Sequence, residues 1–320
     1  MKAVIYEEYG PPEVLRIVEV PKPSPSAGEV LIKVHATTVN RTDTGFRSAL
    51  YVVSRLITGI LKPKKTITGT EFAGKIVEVG EGVEDYMVGD DVFGFDDARF
   101  GAHAEYKTEP ATGPMAKIPT GFSYDEVAAA GEGATYALNV IEAAGVKKGQ
   151  YILVNGASGA IGSASVQICK HMGATVVAVC GTKDLELIKS LGADKVIDYQ
   201  TEDFTKLQDT FDVIIDAVGK STYGACKKLL GPKGIYVSSE LGPKGQNIYL
   251  AIWYAITRQR RVIFPIPKIN KEKLQQIQQL LESGSYKPVI DSRHSIDEIV
   301  EVSRYVESGQ KTGNVVITLD

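Results

Sequence analysis

Before residue 145 the chain alternates apolar and polar positions in short runs bounded by glycine and proline. Glu29-Val30-Leu31-Ile32-Lys33-Val34, Gly74-Lys75-Ile76-Val77-Glu78-Val79-Gly80 and Asp91-Val92-Phe93-Gly94-Phe95 show the pattern. A period of two puts successive side chains on opposite faces, so these runs predict antiparallel strands joined by tight turns. Pro21-Lys22-Pro23-Ser24-Pro25 predicts a loop, because proline withholds a backbone donor.

After residue 145 the pattern changes. Tyr151 to Asn155 is a continuous apolar run, and Ile161, Ala164, Ile168 and Met172 then fall at helical spacing. Thr175 to Cys180 predicts the next strand. A helix is expected from Asp184 to Leu191, with Gly192 where a helix-ending glycine belongs. Lys195 to Tyr199, Phe211 to Val218, Gly234 to Ser239 and Arg261 to Phe264 continue the strand series. Strands alternating with helices predict βαβ units and a parallel sheet. The tail reads as a helix from Asn270 to Leu281, a strand from Tyr286 to Ile290, a helix from Ser295 to Glu307 and a strand from Gly313 to Ile317. It does not extend the βαβ alternation and is expected to return to the first domain. The expected domains are residues 1–122 with 267–320, and residues 123–266.

Composition supports two domains, since 320 residues exceed what one core usually supports. With 43% apolar and 23% charged residues the chain is an ordinary globular sequence. A net charge of −3 and the lack of a basic arm argue against nucleic acid as a partner. No apolar run approaches the roughly 20 residues that span a bilayer, so no membrane partner is expected. The start, Met1 to Glu8, has no long apolar stretch and does not read as a signal peptide. Three scattered cysteines, Cys169, Cys180 and Cys226, fit neither a disulfide framework nor a zinc cage. A reducing, cytoplasmic setting is expected.

The sharpest motif is Asn155-Gly156-Ala157-Ser158-Gly159-Ala160-Ile161-Gly162, placed between a predicted strand and a predicted helix. Gly156 permits a tight turn, Gly159 lets main-chain amides approach a pyrophosphate, and Gly162 lets helix and strand pack closely. The helix start adds partial positive charge for the anion. The next strand ends in Cys180-Gly181-Thr182-Lys183. No carboxylate stands there to take a ribose 2′-hydroxyl, and Lys183 can pair with a 2′-phosphate. NADP(H) is therefore the expected cofactor, with Tyr199 against the adenine ribose; Asp184 keeps NAD open, although its place in the first helical turn suits a dipole role.

At this point the sequence resembles the medium-chain dehydrogenase/reductase superfamily, in its zinc-free quinone-oxidoreductase branch. The likeness rests on Met1-Lys2-Ala3-Val4, Glu29 to Val34, Val39-Asn40-Arg41-Thr42-Asp43 and Gly69-Thr70-Glu71-Phe72-Ala73-Gly74. Val88-Gly89-Asp90-Asp91-Val92, the glycine loop, Leu191-Gly192-Ala193-Asp194 and Gly313-Asn314-Val315-Val316 complete it. The resemblance implies an α/β architecture: a GroES-like β-rich catalytic domain from the N-terminal part and the tail, plus a Rossmann doubly wound parallel sheet. It also implies a dinucleotide in the cleft between them and a homodimer. Zinc alcohol dehydrogenases of the superfamily use Cys, His and Glu. Here the first of these regions reads Val39-Asn40-Arg41-Thr42 and the His position reads Thr70, although Glu71 remains. No metal is expected.

Without a Lewis acid the substrate must be polarised by hydrogen bonds. The resemblance puts Asn40 beside the nicotinamide, as a donor to the substrate oxygen, Thr135 at the nicotinamide and Tyr51 in the substrate cleft. Turn capping by Asn40, helix capping by Thr135 and plain packing by Tyr51 are the alternatives. Gly45 departs from the tyrosine common in quinone reductases. The segment Phe46 to Lys65 is unusually basic, and Arg47 and Arg55 are candidates for steering a polar substrate. Ser238, Leu241 and Phe264 fall at strand ends, where backbone groups can grip the carboxamide. Asn314 lies near the family's C-terminal phosphate contact, where lysine is usual. The expected activity is NADPH-dependent hydride transfer to a small quinone or α,β-unsaturated carbonyl. An enoyl-thioester reductase, served by Arg55, Lys62, Lys64 and Lys65, and a non-enzymatic, crystallin-like nucleotide binder are the rivals.

Overall fold

The alternating runs of the N-terminal part pair as strands, and the continuous apolar runs after them stack in parallel. In the computed structural model, which describes residues 1–49, 55, 58–259 and 261–319, the chain opens with β1 (Lys2–Ile5), β2 (Arg16–Glu19) and β3 (Glu29–Val39). Helix α1 (Arg41–Ser48) precedes β4 (Glu71–Val79), β5 (Asp91–Phe95), β6 (Tyr106–Pro110) and β7 (Met115–Lys117). Helices α2 (Tyr124–Ala128) and α3 (Gly131–Ala144) lead to β8 (Tyr151–Asn155), α4 (Ala160–His171) and β9 (Thr175–Cys180). Then come α5 (Leu185–Ser190), β10 (Lys195–Asp198), β11 (Phe211–Asp216), α6 (Tyr223–Cys226), β12 (Leu230–Ser238), α7 (Gln246–Ile256) and β13 (Val262–Ile263). The tail adds α8 (Lys271–Glu282), β14 (Ile290–Ser295), α9 (Ile299–Ser308) and β15 (Asn314–Thr318).

The chain forms two units. One comprises Met1–Glu132, Ile269–Glu282 and Pro288–Asp320; the other comprises Gly133–Lys268 and Ser283–Lys287. In the first unit β3 is the hub, pairing antiparallel with β4, β6 and β15. Its register slips between Leu31 and Ile32 and again between Val34 and Ala36, the local kinks that let one strand serve several partners. Val30, Ile32, Val34, Phe72, Ile76 and Met115 form the buried face, and Ile299, Val302 and Val306 of α9 close over it. Each such burial stabilises the unit by about 1.5–3 kcal/mol.

In the second unit all six strands are parallel, in the order β10-β9-β8-β11-β12-β13. Relative to sequence this is third, second, first, fourth, fifth, sixth, the doubly wound order whose direction reverses between β8 and β11. Val176 to Cys180 are all buried, because a parallel strand is covered on both faces.

The tail departs from its expected layout. The strand lies at Ile290–Ser295 rather than Tyr286 to Ile290. Residues Ser283–Lys287 belong to the second unit instead, because Gln167 grips Lys287 on both sides: Nε2 donates to its carbonyl at 3.0 Å, and its N–H donates to Oε1 at 2.9 Å. The expected helix from Ser295 begins with a 3-10 turn, Ile296–Glu298, capped reciprocally by Ser295 and Glu298, before α9. Among the described residues no helix is long and apolar enough to cross a membrane.

Candidate active site

The glycine motif sits at the carboxyl end of β8, where the strand order reverses. Gly156 has φ +80°, and a Cβ there would lie 2.7 Å from Val218 Cβ, so the turn accepts only glycine. A Cβ on Gly162 would lie 2.1 Å from the Gly156 carbonyl oxygen. Gly159 differs. Its φ is −75°, and the nearest protein atom to an added Cβ is 3.6 Å away. Among the described residues nothing demands glycine at 159, so the protein's own packing does not explain its bare backbone.

The loop's donors divide. The N–H groups of Gly156 and Ala157 both bond the Val179 carbonyl, at 3.1 and 2.9 Å. They are fixed within the sheet and are not free for a phosphate, so Gly156 serves as the turn glycine the sequence predicts and its neighbour Ala157 offers the anion no main-chain donor. The first intrahelical bond of α4 runs from Ser163 N to the Gly159 carbonyl. The amides of Ala160, Ile161 and Gly162 therefore open the helix without intrahelical partners. Gly159 is the N-cap and offers no side-chain cap.

At the neighbouring strand ends, Gly181, Thr182 and Tyr199 come together. Tyr199 is 60% exposed, and its Oη would lie 3.3 Å from a Cβ on Gly181. Lys183 is exposed in the turn after β9. The sequence places no carboxylate here, but the fold brings one: Asp198, last residue of β10, pairs in register with Cys180. Its Oδ2 accepts from the Thr182 hydroxyl at 2.5 Å, and its Oδ1 from Gln200 N–H at 2.9 Å. Parallel pairing of β9 with β10 is the signal that places it.

Thr135 lies inside α3, not at its N-cap. It is fully buried, and its Oγ1 has no hydrogen-bond partner. Ser239 Oγ is likewise shielded and unpartnered. Such groups are uncommon in native proteins. The Ser238 hydroxyl is engaged: it donates to the Asp216 carbonyl at 2.9 Å, which leaves only its main chain for a ligand. The Leu241 carbonyl accepts from Asn247 N–H at 3.1 Å. Phe264 follows β13 and is partly exposed. Burial pushes the Cys169 and Cys180 thiols up to about 12 and Cys226 to about 11, so none is a nucleophile.

In the first unit a buried polar network joins β3, β4 and the start of α3. Asn40 caps α1: its Oδ1 accepts from Asp43 N–H at 2.8 Å, and Asp43 accepts from Asn40 N–H at 3.1 Å. Its amide nitrogen donates to Thr70 Oγ1 at 2.9 Å and Glu71 Oε2 at 3.1 Å. With 1% exposure and both amide hydrogens engaged, Asn40 is a capping and bridging residue, not a ready donor to a substrate oxygen. Tyr51 lies outside the described residues. Glu71 also accepts from Glu132 N–H at 2.6 Å and from the Thr38 hydroxyl. Burial and the neighbouring Glu132 push Glu71 up to about 7, and burial raises Asp43 and Glu132 as well. Burial lowers Lys311, against the pull of Glu132 and Glu71. The network can therefore hold a proton near neutral pH. Sequence reasoning missed Glu132, which no motif marks.

One further expectation is corrected. Arg47 steers nothing: it is 2% exposed, pairs with Glu307 and donates to the Gly10 carbonyl at 2.7 Å. Arg55 stacks over the Tyr9 ring at 4.9 Å. Asn314 is buried, and its Nδ2 donates to the Val289 carbonyl at 3.0 Å. Its Oδ1 has no hydrogen-bond partner among the described residues, and Nδ2 carries a second hydrogen.

Comparison with known proteins now adds to the geometry. Residues 26–136 match the alcohol dehydrogenase GroES-like domain, and residues 191–317 match the family described as zinc-binding dehydrogenase. The 2-methylene-furan-3-one reductase of Solanum lycopersicum is 34% identical over 99% of this chain and 79% of its own length. The chain belongs to the medium-chain dehydrogenase/reductase superfamily, in its quinone-oxidoreductase-like branch. This superfamily member is also 30% identical to the chloroplast envelope quinone oxidoreductase homolog of Arabidopsis thaliana, over 99% of the chain and 98% of that protein. The quinone oxidoreductase structure from Coxiella burnetii matches with a TM-score of 0.88 at 27% identity, covering 100% and 99% of the two chains. The first unit is thus the GroES-like domain and the second the Rossmann domain.

One family description names zinc, and the residues here do not fit it. Zinc takes about four ligands, with thiolate and imidazole preferred. Both oxygens of Glu71 already accept hydrogen bonds, and its neighbours are Thr38, Asn40 and Thr70. His103 holds Thr68 Oγ1 at 2.8 Å with one ring nitrogen and the Thr38 carbonyl at 2.7 Å with the other. Among the described residues no group of three or more His, Cys, Asp or Glu side chains could hold a metal ion.

Proposed function

We propose that this protein is an NADPH-dependent reductase of quinones or α,β-unsaturated carbonyls that works without a metal. The observation that carries the reading is Gly159. At the strand-order reversal a Cβ on it would make only an ordinary contact, 3.6 Å from the Gly156 oxygen, while the flanking glycines are explained by the protein's own packing. A pyrophosphate would sit there on the amides of Ala160, Ile161 and Gly162. Gly181, Thr182 and Tyr199 would hold the adenosine ribose, with Lys183 pairing the 2′-phosphate. The orphaned Thr135 Oγ1 and the main chain at Ser238, Leu241 and Phe264 would meet the nicotinamide.

When bound, the nicotinamide supplies a hydride to the electrophilic carbon of the substrate. The matching proton reaches the enolate or quinolate from solvent or a side chain, so one hydride and one proton together reduce one double bond or one quinone. The names of the relatives, a 2-methylene-furan-3-one reductase and a chloroplast envelope quinone oxidoreductase homolog, fit that class. The family resemblance supports a homodimer, and the free cysteines Cys169, Cys180 and Cys226 support a reducing, cytoplasmic setting.

The test is NADPH oxidation across a benzoquinone, a phenanthrenequinone, an enal and a crotonyl thioester, with metal analysis of the same sample. Turnover on quinone or enal with no bound zinc is expected. Turnover on the thioester alone would point to an enoyl-thioester reductase. Tight NADPH binding with no turnover on any of them would point to a non-enzymatic nucleotide binder.

A further inference from the structure

One buried acid in the Rossmann domain has no part in the chemistry above. Asp216, the last residue of β11, is fully buried. Its Oδ1 accepts from Asn155 Nδ2 at 3.0 Å, Gly219 N–H at 3.1 Å and Val218 N–H at 3.3 Å. Its Oδ2 accepts from the Tyr236 hydroxyl at 2.7 Å. All four donors are neutral. A buried carboxylate satisfied only by neutral donors is expensive to keep, and here it stands on the side of the sheet where a second anion is expected.

Its partners explain the placement. Asn155 is the last residue of β8, immediately before Gly156. Val218, whose N–H the carboxylate holds, carries the side chain that a Cβ on Gly156 would strike at 2.7 Å. Asp216 therefore fixes both walls of the turn that launches the glycine loop. The peptide group that links it to Ala217 joins in: Ala217 N–H bonds the Asn155 carbonyl at 3.0 Å, and the Asp216 carbonyl accepts from Ser238 Oγ at 2.9 Å. One residue thus ties the carboxyl ends of β8, β11 and β12 at the strand-order reversal.

We infer that Asp216 is a positioning residue for dinucleotide binding, acting through Asn155 and Val218 on the glycine loop rather than touching the ligand. The inference rests on the nucleotide-binding reading above. It makes a specific claim: the loop serves the pyrophosphate, which NADPH and NADH share, so losing Asp216 must weaken both alike. Asparagine can keep the arrangement, with its oxygen in place of Oδ1 and its amide donating to the Tyr236 oxygen.

The experiment is calorimetric titration of the full chain with NADPH and with NADH, well below the melting temperature. Asp216→Ala should weaken both nucleotides by about tenfold or more, by an equal factor, and Asp216→Asn should recover most of the loss. Tyr236→Phe removes only the bond on the β12 side, so both affinities should stay within about twofold of wild type. Wild-type affinity in Asp216→Ala overturns the inference. So does a Tyr236→Phe loss as large as that of Asp216→Ala, which would mean general loosening of the sheet. If Asp216→Ala does not fold, Asn155→Ala carries the test: weaker binding of both nucleotides supports the role, and unchanged binding refutes it. A wild-type protein that binds neither nucleotide sinks the underlying reading instead.

Discussion

Gly162→Ala sets two physical effects against each other. Gly162 lies in the first turn of α4. Helix propensity alone says that alanine there should stabilise by about 1 kcal/mol. The surroundings say the opposite. The new Cβ would sit 2.1 Å from the Gly156 oxygen and 2.8 Å from Ala157 Cα, where ordinary contact begins at 3.4 Å. Both obstacles are backbone, so helix and loop must separate by about an ångström. Overpacking of this kind costs about 1–3 kcal/mol. The expected net result is a melting temperature lower by a few degrees, taking about 2–4 °C per kcal/mol for a domain of this size. A displacement of about 1 Å in the loop should also cut NADPH affinity by roughly a hundredfold. Gly159→Ala is the counterpart. With 3.6 Å to its nearest neighbour, it should leave melting unchanged or slightly raised, while its methyl occupies the ligand's space and weakens NADPH by about tenfold or more. Differential scanning calorimetry and NADPH fluorescence titration on the two variants separate the effects. A Gly162→Ala protein more stable than wild type, or a Gly159→Ala protein with undiminished affinity, would refute the reasoning.

Other outcomes follow from the same geometry. Lys183→Glu should weaken NADPH by about 10–100-fold and leave NADH nearly unchanged, the scale of one lost charge-assisted contact; equal affinities for NADPH before and after remove Lys183 from the site. Glu71 is an acid whose folded pKa, about 7, lies above its ordinary value of 4.5, so folding favours its protonated form. Its contribution is present at acid pH and is lost as pH rises through that window, by about 3 kcal/mol in all. The melting temperature of wild type relative to Glu71→Gln should therefore fall between pH 5 and pH 8, and parallel curves would show that Glu71 does not titrate there. Comparing the pair isolates Glu71 from His103, which burial holds neutral with its pKa lowered to about 4 and which acts in the opposite direction, losing stability as pH falls.

The architecture was legible because local signals agreed with tertiary ones. The period-two runs became β3, β4 and β5, and the glycine motif fell between β8 and α4, where a strand-to-helix turn needs it. Side-chain offices were less legible. Asn40 belongs to an Asn-x-x-Asp capping box, a local pattern that competes with any outward role. Arg47 reads as a surface cation until Glu307, 260 residues away, is brought to it. Asp198 and Asp216 sit at strand ends whose neighbours are fixed only by the strand order. The tail strand was misplaced because Tyr286 to Ile290 is as apolar as the true strand, Ile290–Ser295, is polar, and only pairing with β15 selects the latter.

The hub strand β3 finds its partner β15 across 276 residues, Val39 opposite Val315. During synthesis the Rossmann domain has every one of its strands before the ribosome reaches that point, but the GroES-like sheet does not. Until β15 emerges, β3 carries an unzipped edge of main-chain donors and acceptors over Ala36 to Val39, the kind of surface on which nascent chains clump. Deleting β15 would consequently harm a sheet built mainly from strands far before it in the sequence, and such a variant should accumulate in the insoluble fraction while its Rossmann domain still folds.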